Sequence, residues 1–231
     1  MKLESKLVIE VIKLKGIRKV IARRMSQSKR EAPHVYYDIE VEMTAAKRLK
    51  EKLSEQGYKV SYNDIIIYSV SRNLENFPKF NAHIGDDELK IYKNINIGMV
   101  VGLEEGLIVP VIHNVDKKGL REIAKITKEL VQRVKSGILK LIDYTGGTFT
   151  VSNLGMYGIT GFHAIINPPE VAILAVGKVA EKPDVRDHNL VTHLSTNLSL
   201  SADHRVIDGM EAAKFLYSLK SNLENINDEY K

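Results

Sequence analysis

The amino-acid sequence predicts an α+β fold, in which helices pack on a mixed, largely antiparallel sheet. Some segments place apolar residues at helical spacing, and shorter ones alternate apolar and polar residues as strands do. These two kinds of segment follow one another in uneven order, unlike the regular alternation of strand and helix that is typical of a parallel sheet. The 231 residues suit one domain of this class, which we expect to span 15–231 after an extension over 1–14.

The first eighty residues predict three helices and one strand. The helices cover 17–30, 44–55 and the segment between Ser61 and Pro78, and the strand covers 35–41. Pro33 ends the first helix, because the residue before a proline disfavours helical geometry. Ser61 and Asp64 have the spacing of a capping box, which marks the start of the third helix.

The middle of the chain predicts short strands followed by a long helix. The strands cover 83–84, 89–92, 95–101 and 106–112. The turn residues Gly85-Asp86-Asp87 separate the first two. The most regular helical pattern runs from Leu120 to Val134, and Gly137 is expected to end that helix.

The last third of the chain is rich in predicted strands. They cover 148–152, 162–166, 171–179 and 194–201. A final helix is predicted from near Gly209 to about Asn225, because apolar residues recur there at helical spacing. No internal repeat divides the chain.

Composition excludes several classes of site. The sequence has no cysteine, which rules out disulfides, a thiolate nucleophile and cysteine-ligated metals and fits a reducing compartment. Its apolar runs are far shorter than the roughly 20 residues of a membrane-spanning helix, and no signal segment opens it. We therefore predict a cytoplasmic protein with no membrane partner.

Positive charge is concentrated at the start of the chain. The sequence has 34 basic and 29 acidic residues, and from Lys13 to Arg30 it has cations and no acid. This run can be a solvated helix face, or it can face a phosphate-bearing cofactor or a neighbouring subunit. We expect no specific nucleic-acid partner, because neither aromatic-interleaved strands nor zinc-finger spacing accompany the run.

Common cofactor motifs do not occur in the sequence. Gly155, Gly158 and Gly161 have the wrong spacing for a dinucleotide-binding turn, and no Gly-Lys-Ser/Thr follows a glycine-rich loop. His188 and His193 have neither a carboxylate pair nor a third histidine nearby, so we predict no metal site.

The most unusual polar cluster lies between a predicted strand and the last helix. It contains Asp203, His204, Arg205 and Asp208. A histidine at such a junction is a candidate catalytic base, because loops at the ends of rigid elements commonly hold reactive groups. A structural interpretation stands beside it: Asp208 with Glu211 fits a helix cap, and Arg205 can pair with Asp203.

These residues resemble a known family. Residues 203–209, Asp-His-Arg-Val-Ile-Asp-Gly, resemble the signature of the dihydrolipoamide acyltransferase (E2) catalytic domain of 2-oxo acid dehydrogenase complexes. Segments 18–25, 147–158 and 166–174 are similar to the same domain, in the expected order. The distant relative chloramphenicol acetyltransferase typically has two consecutive histidines where Asp203 and His204 stand, which favours the E2 branch. The resemblance implies a chloramphenicol acetyltransferase-like fold for the catalytic domain at 15–231.

The resemblance implies transfer of an acyl group from a dihydrolipoyl thioester to the thiol of coenzyme A. His204 would take the thiol proton at a cost of roughly 3 kcal/mol, since the ordinary pKa is about 8.5 for a thiol and about 6.5 for imidazole. Ser152 would donate a hydrogen bond to the acyl oxygen as negative charge gathers there. Asp208 would orient the imidazole or hold the junction in shape. The resemblance assigns no residue to coenzyme A and implies no metal.

The resemblance also implies partners. Ser152 and His204 lie far apart in sequence, and the family implies a site between subunits of a trimer, with trimers assembled into a hollow core. A lipoyl domain and the segments that bind the E1 and E3 components have no room before Lys15, so we expect a separate domain to supply the lipoyl group. The chain would then be an excised core or a stand-alone homologue.

Three questions stay open at the level of sequence. The acyl group can be acetyl, succinyl or branched-chain, because these members share the motifs. The acceptor can instead be a small alcohol or amine, which would make the chain a coenzyme A-dependent acyltransferase of another kind. The chain can also be a scaffold whose main task is assembly and whose site is inactive.

Overall fold

Five α-helices and eleven strands form within residues 8–85, 87–103 and 106–227, which are the parts of the chain that the computed structural model describes. The helices are α1 (Gly16–Glu31), α2 (Thr44–Glu55), α3 (Tyr62–Asn76), α4 (Leu120–Ser136) and α5 (Gly209–Glu224). The strands are β1 (His34–Glu42), β2 (Ala82–Ile84), β3 (Leu89–Ile91), β4 (Ile97–Met99), β5 (Val101–Leu103), β6 (Gly106–Ile108), β7 (Val111–Ile112), β8 (Phe149–Asn153), β9 (Ala172–Val176), β10 (Ala180–Arg186) and β11 (Asn189–Asp203). The predicted extension over 1–14 and the turn residue Asp86 fall partly or wholly outside the described residues, and 8–14 belong to no helix or strand.

Seven strands form one mixed sheet. Their order is β1-β11-β9-β8-β4-β7, and β10 pairs with β11 beside that path. β8 runs parallel to both β9 and β4, and the other neighbours run antiparallel. Two ribbons, β2–β3 and β5–β6, lie outside the sheet. The prediction of an α+β fold with a mixed, largely antiparallel sheet is therefore confirmed.

The two faces of the sheet differ in chemistry. One face carries apolar side chains such as Leu174 and Leu200, which are fully buried in a single cluster with residues of α3 and α5. Side chains alternate between the faces along a strand, so the next residues point the other way. On that second face, Ser152 of β8 is aligned with Ser199 of β11 through Ala175 of β9. The sheet thus has an apolar inner face and a mostly polar outer face, on which Ile173 packs in a small cluster with Ile166 and Ala32.

Local signals set the ends of two helices as predicted. At the start of α3, the Asp64 N–H donates to Ser61 Oγ (3.2 Å) and the Ser61 N–H donates to Asp64 Oδ2 (2.8 Å), which is the expected capping box. Gly137 ends α4 with φ of 66°, a left-handed conformation that glycine adopts without strain. Both signals act within one helical turn.

Two predicted strands are each divided in two. The segment 95–101 contains β4 and the first residue of β5, and the segment 106–112 contains β6 and β7. Pro110 interrupts the second segment because it has no N–H to donate to a neighbouring strand, although its carbonyl accepts from the Met99 N–H (2.8 Å). β5 and β6 consequently leave the sheet as a separate ribbon.

The predicted strand over 162–166 does not form. The Ile166 N–H donates to His34 Nε2 (3.1 Å), and the Ile166 carbonyl accepts from Ser28 Oγ (2.7 Å). Side chains of β1 and α1 therefore satisfy the backbone that a neighbouring strand would otherwise pair with. The segment packs across the outer face of the sheet instead of joining it.

The strands near the C-terminus also differ from prediction. β9 ends at Val176, before Gly177, where a Cβ atom would lie 2.1 Å from the Thr160 carbonyl oxygen. β10 was not predicted, because it contains Pro183 and several charged residues. It pairs with β11 alone, and a proline is tolerated on such an edge strand. β11 begins at Asn189, earlier than predicted, because β10 extends its pairing.

Candidate active site

His204 lies in the turn that joins β11 to α5. Its backbone N–H donates to the Pro33 carbonyl (3.0 Å), which ties the turn to the segment before β1. The imidazole is exposed, and within the described residues it makes no hydrogen bond. The ring nitrogens are therefore available to an incoming group.

Asp203 and Arg205 hold this turn in shape. The buried Asp203 carboxylate accepts from Arg205 Nε (3.0 Å) and Nη2 (2.7 Å), and also from the Arg205 backbone N–H (3.0 Å). This contact raises the pKa of Arg205 above its ordinary value. The predicted ion pair is confirmed, and its bidentate geometry fixes the direction in which the neighbouring His204 leaves the backbone.

Asp208 caps α5. Its Oδ1 accepts from the Glu211 N–H (2.8 Å), and Glu211 in turn accepts from Lys79 Nζ (2.6 Å). The capping interpretation is confirmed. Among the described residues, no contact joins the Asp208 carboxylate to the His204 imidazole, so a role in orienting the ring stays a prediction.

Ser152 lies near the carboxyl end of β8, on the polar outer face of the sheet. It is 7% exposed. Its hydroxyl makes no hydrogen bond to any other described residue, whereas the neighbouring Asn153 accepts from the Gly155 N–H (2.9 Å) and donates to Asn63 (3.3 Å). The Ser152 hydroxyl thus has a free donor next to a fixed loop.

A single chain does not bring Ser152 and His204 together. Ser152 is level with Ser199 two strands away, and His204 is five residues beyond Ser199. With about 3.4 Å per residue and about 4.8 Å between strands, the two residues lie roughly 20 Å apart. Direct joint action on one substrate atom therefore requires a second chain.

A groove of about 940 Å³ has Asn153, the residue after Ser152, in its lining. Asn153 and Leu154 line its near end, and apolar residues such as Met99 and Val131 line its floor. Its cationic residues come from α2, the loop before α3 and α4: Lys50, Lys59, Lys128 and Lys135. Its one carboxylate, Asp64, already accepts from Thr127 Oγ1 (2.6 Å). Sequence analysis did not find this groove, since no local spacing connects these lysines.

The basic run at the start of the chain is mostly exposed. α1 buries one residue, Ser28. Two of its cations bond within the chain: Arg24 Nη2 donates to Asn167 Oδ1 (3.1 Å) and to the Pro168 carbonyl, and Lys29 Nζ donates to the Tyr36 hydroxyl. These two predicted cofactor-facing or subunit-facing cations are therefore engaged within their own chain.

Among the described residues, no cluster of three or more histidine, aspartate or glutamate side chains is arranged to hold a metal ion. No helix among them combines the length and the apolar content that crossing a bilayer requires.

Comparisons with known proteins give a consistent family. The family model described as 2-oxoacid dehydrogenases acyltransferase (catalytic domain) matches residues 7–229. The chain is 37% identical over 215 residues to the dihydrolipoyllysine-residue acetyltransferase component of the pyruvate dehydrogenase complex of Rickettsia conorii. That match covers 91% of this chain and 52% of the relative, so the chain spans about half the length of the curated relatives it matches.

Solved structures agree. The Azotobacter vinelandii dihydrolipoamide acetyltransferase has a TM-score of 0.88 at 33% identity, covering 94% of this chain and 92% of that one. The cubic core of the pyruvate dehydrogenase multienzyme complex has a TM-score of 0.87 at 33% identity, with the same coverage. Chloramphenicol acetyltransferase, 18% identical with a TM-score of 0.54, shares the fold. The resemblance seen in the sequence is confirmed, and the chain belongs to the 2-oxoacid dehydrogenase acyltransferase family, as a catalytic domain.

Proposed function

We propose that this chain transfers an acyl group from a dihydrolipoyl thioester to coenzyme A, within the oligomeric core of a 2-oxo acid dehydrogenase complex. We propose acetyl as the acyl group, because the Rickettsia conorii relative is named as an acetyltransferase component of the pyruvate dehydrogenase complex. The lipoyl group would come from a separate domain, and the E1 and E3 components would bind through segments other than this chain.

The spacing of three residues carries the proposal. A serine, a histidine and an asparagine were investigated for their role in the catalytic mechanism of the Azotobacter vinelandii enzyme, at intervals of 52 and 4 positions. Ser152, His204 and Asp208 have the same two intervals. Aspartate replaces asparagine at the third position, and both residue types cap a helix well. This substitution supports a positioning role for Asp208 instead of a proton-transfer role.

The available groups suit thioester exchange. The exposed His204 imidazole takes the proton of the coenzyme A thiol, and the thiolate attacks the acyl carbon. The new C–S bond places negative charge on the acyl oxygen, to which the free Ser152 hydroxyl donates. Such a donor is typically worth about 3–4 kcal/mol. When the tetrahedral adduct collapses, the bond to the dihydrolipoyl sulfur breaks and that sulfur takes the proton from the imidazolium.

The roughly 20 Å between Ser152 and His204 supports a site shared between two subunits. The described part of the first fourteen residues offers a surface for such a contact. It exposes five large apolar side chains, an arrangement that a second subunit would bury: Val8, Ile9, Val11, Ile12 and Leu14. We propose a trimer as the basic unit, and the likeness to a cubic core supports further assembly of trimers.

The groove that contains Asn153 suits coenzyme A. The pantetheine arm is long and mostly apolar, which matches the groove floor, and the nucleotide end carries phosphates, which match the rim lysines such as Lys59 and Lys128. The near end at Asn153 would bring the thiol toward the serine strand. Coenzyme A would therefore lie along the subunit that supplies Ser152.

The test is transacetylation between free S-acetyldihydrolipoamide and coenzyme A, compared with a panel of small alcohols and amines. We expect coenzyme A to be the preferred acceptor and His204→Ala to lower kcat by 10²–10⁴-fold, the usual contribution of a general base. Preference for an alcohol or amine would favour the alternative acyltransferase. An intact particle in which His204→Ala has unchanged activity would contradict the mechanism.

A further inference from the structure

Glu170 is a buried carboxyl group that the proposed mechanism does not use. Glu170 is 4% exposed and lies at the start of the segment that leads into β9. Burial raises the pKa of the Glu170 carboxyl to about 7. Taking such a group out of water is costly unless hydrogen bonds compensate, so its partners define what it does.

Those partners form a chain of hydrogen bonds from α1 to the serine strand. Thr150 Oγ1 donates to Glu170 Oε2 (2.6 Å), and Asn167 Nδ2 donates to Glu170 Oε1 (3.1 Å). Arg24 of α1 donates to Asn167 Oδ1 (3.1 Å) and to the Pro168 carbonyl. Both carboxyl oxygens are therefore occupied, one by β8 and one by the loop that Arg24 holds.

Thr150 connects these hydrogen bonds to Ser152. Thr150 precedes Ser152 by two residues on β8, so the two side chains leave the same face of the sheet. The surroundings of the Glu170 carboxyl are tightly packed. A Cβ atom on Gly147 would lie 3.2 Å from Glu170 Oε1, and the Thr150 side chain is fully buried. Movement of the Glu170 carboxyl would therefore shift the strand that presents the serine.

We propose that Glu170 is a positioning residue for Ser152, which it holds in place by bonding Thr150 and tying the serine strand through Asn167 to α1. The inference rests on the proposed role of Ser152 as the donor to the acyl oxygen. A misplacement of about 1 Å can cost up to 10²-fold in rate, so the expected loss on breaking the link is 10- to 100-fold in kcat. KM for coenzyme A should stay constant, because the serine donor acts in the transition state.

Thr150→Val and Glu170→Leu break the link from its two sides. Glu170→Gln keeps the shape and both contacts, because its amide N–H can donate to Thr150 Oγ1 while its oxygen accepts from Asn167. We expect Gln to bring kcat back to within about threefold of the natural chain. Ser71→Ala is the control, since Ser71 is equally buried and its hydroxyl donates to the Tyr68 carbonyl (2.7 Å) within α3. Sedimentation and near-ultraviolet circular dichroism select variants that assemble and fold normally.

The same substitutions in a Ser152→Ala background separate positioning from general loosening. If Glu170 acts through Ser152, Thr150→Val causes no further loss of kcat once the serine hydroxyl is gone. An equal loss with and without the hydroxyl, or a loss no larger than that of Ser71→Ala, overturns the inference while the role of Ser152 stands. If Ser152→Ala alone leaves kcat unchanged, the proposed role of Ser152 has failed, and the positioning inference falls with it.

Discussion

A site shared between subunits predicts that two inactive variants restore activity when they assemble together. Ser152→Ala keeps His204, and His204→Ala keeps Ser152. Each variant alone should lose at least about 10²-fold in kcat, from the missing oxyanion donor or the missing base. When both are co-expressed with different affinity tags, tandem purification isolates particles that contain the two kinds of subunit.

The expected recovery follows from the separation of the two residues. Because Ser152 and His204 lie roughly 20 Å apart within a chain, the proposed mechanism takes the serine of each site from one subunit and the histidine from a neighbour. In a random equal mixture, about one quarter of the sites join an intact serine to an intact histidine, so the particles should reach about one quarter of the natural kcat per subunit. The recovered kcat is measured as transacetylation from S-acetyldihydrolipoamide to coenzyme A.

A second mixture controls for the geometry. Wild-type subunits are co-assembled in equal amounts with the double variant Ser152→Ala/His204→Ala. A shared site again leaves about one quarter of the sites intact, whereas a site within one chain leaves about one half. The reasoning is refuted if the first mixture stays at the level of its parents and the second retains half of the natural activity.

Three further outcomes are expected. Replacing Lys59 and Lys128 by Gln should raise KM for coenzyme A about tenfold at low salt with kcat unchanged, because phosphate contacts are the same in ground and transition states. The control is Lys125→Gln, on the exposed side of α4. Equal KM values for the two variants would remove the groove from the proposal. Asp208→Ala should lower the free energy of unfolding by about 1 kcal/mol in urea titrations, whereas Asp208→Asn keeps the cap; equal losses would contradict this. Burial raises the pKa of Glu170 from 4.5 to about 7, so its protonated form contributes about 3 kcal/mol of stability that is fully present below pH 4.5 and lost as pH rises through 7. Glu170→Gln should abolish this loss, and parallel stability curves for the two proteins from pH 5 to 8 would argue against it.

Sequence reasoning succeeds where a few neighbouring residues decide the structure. The start of α3 depends on Ser61 and Asp64, and the start of α5 depends on Asp208 and Glu211. In each case, both residues lie within one helical turn. Sequence reasoning fails at 162–166. The apolar residues there suit a strand, but the backbone hydrogen bonds of Ile166 go to side chains distant in sequence.

The same distinction applies to the site. The motif around His204 is continuous in sequence, and it predicted the Asp203–Arg205 ion pair that the structure contains. The lysines of the groove come from separate elements, and only the packing of α2 and α4 against α3 brings them to one groove. Glu170 is equally hidden, because its partners Thr150 and Arg24 lie on a strand and a helix far from it in sequence.

The direction of the strands explains why the proposed site needs two chains. Ser152 is near the carboxyl end of β8, and His204 directly follows the carboxyl end of β11. β9 runs parallel to β8 and antiparallel to β11. The carboxyl ends of β8 and β11 therefore point in opposite directions along the strand axis. In an all-parallel sheet, the carboxyl ends of both strands would lie on the same side, and a single chain could hold serine and histidine together. Under the proposed mechanism a neighbour supplies the second group, so assembly becomes a condition of catalysis, which the two subunit mixtures test.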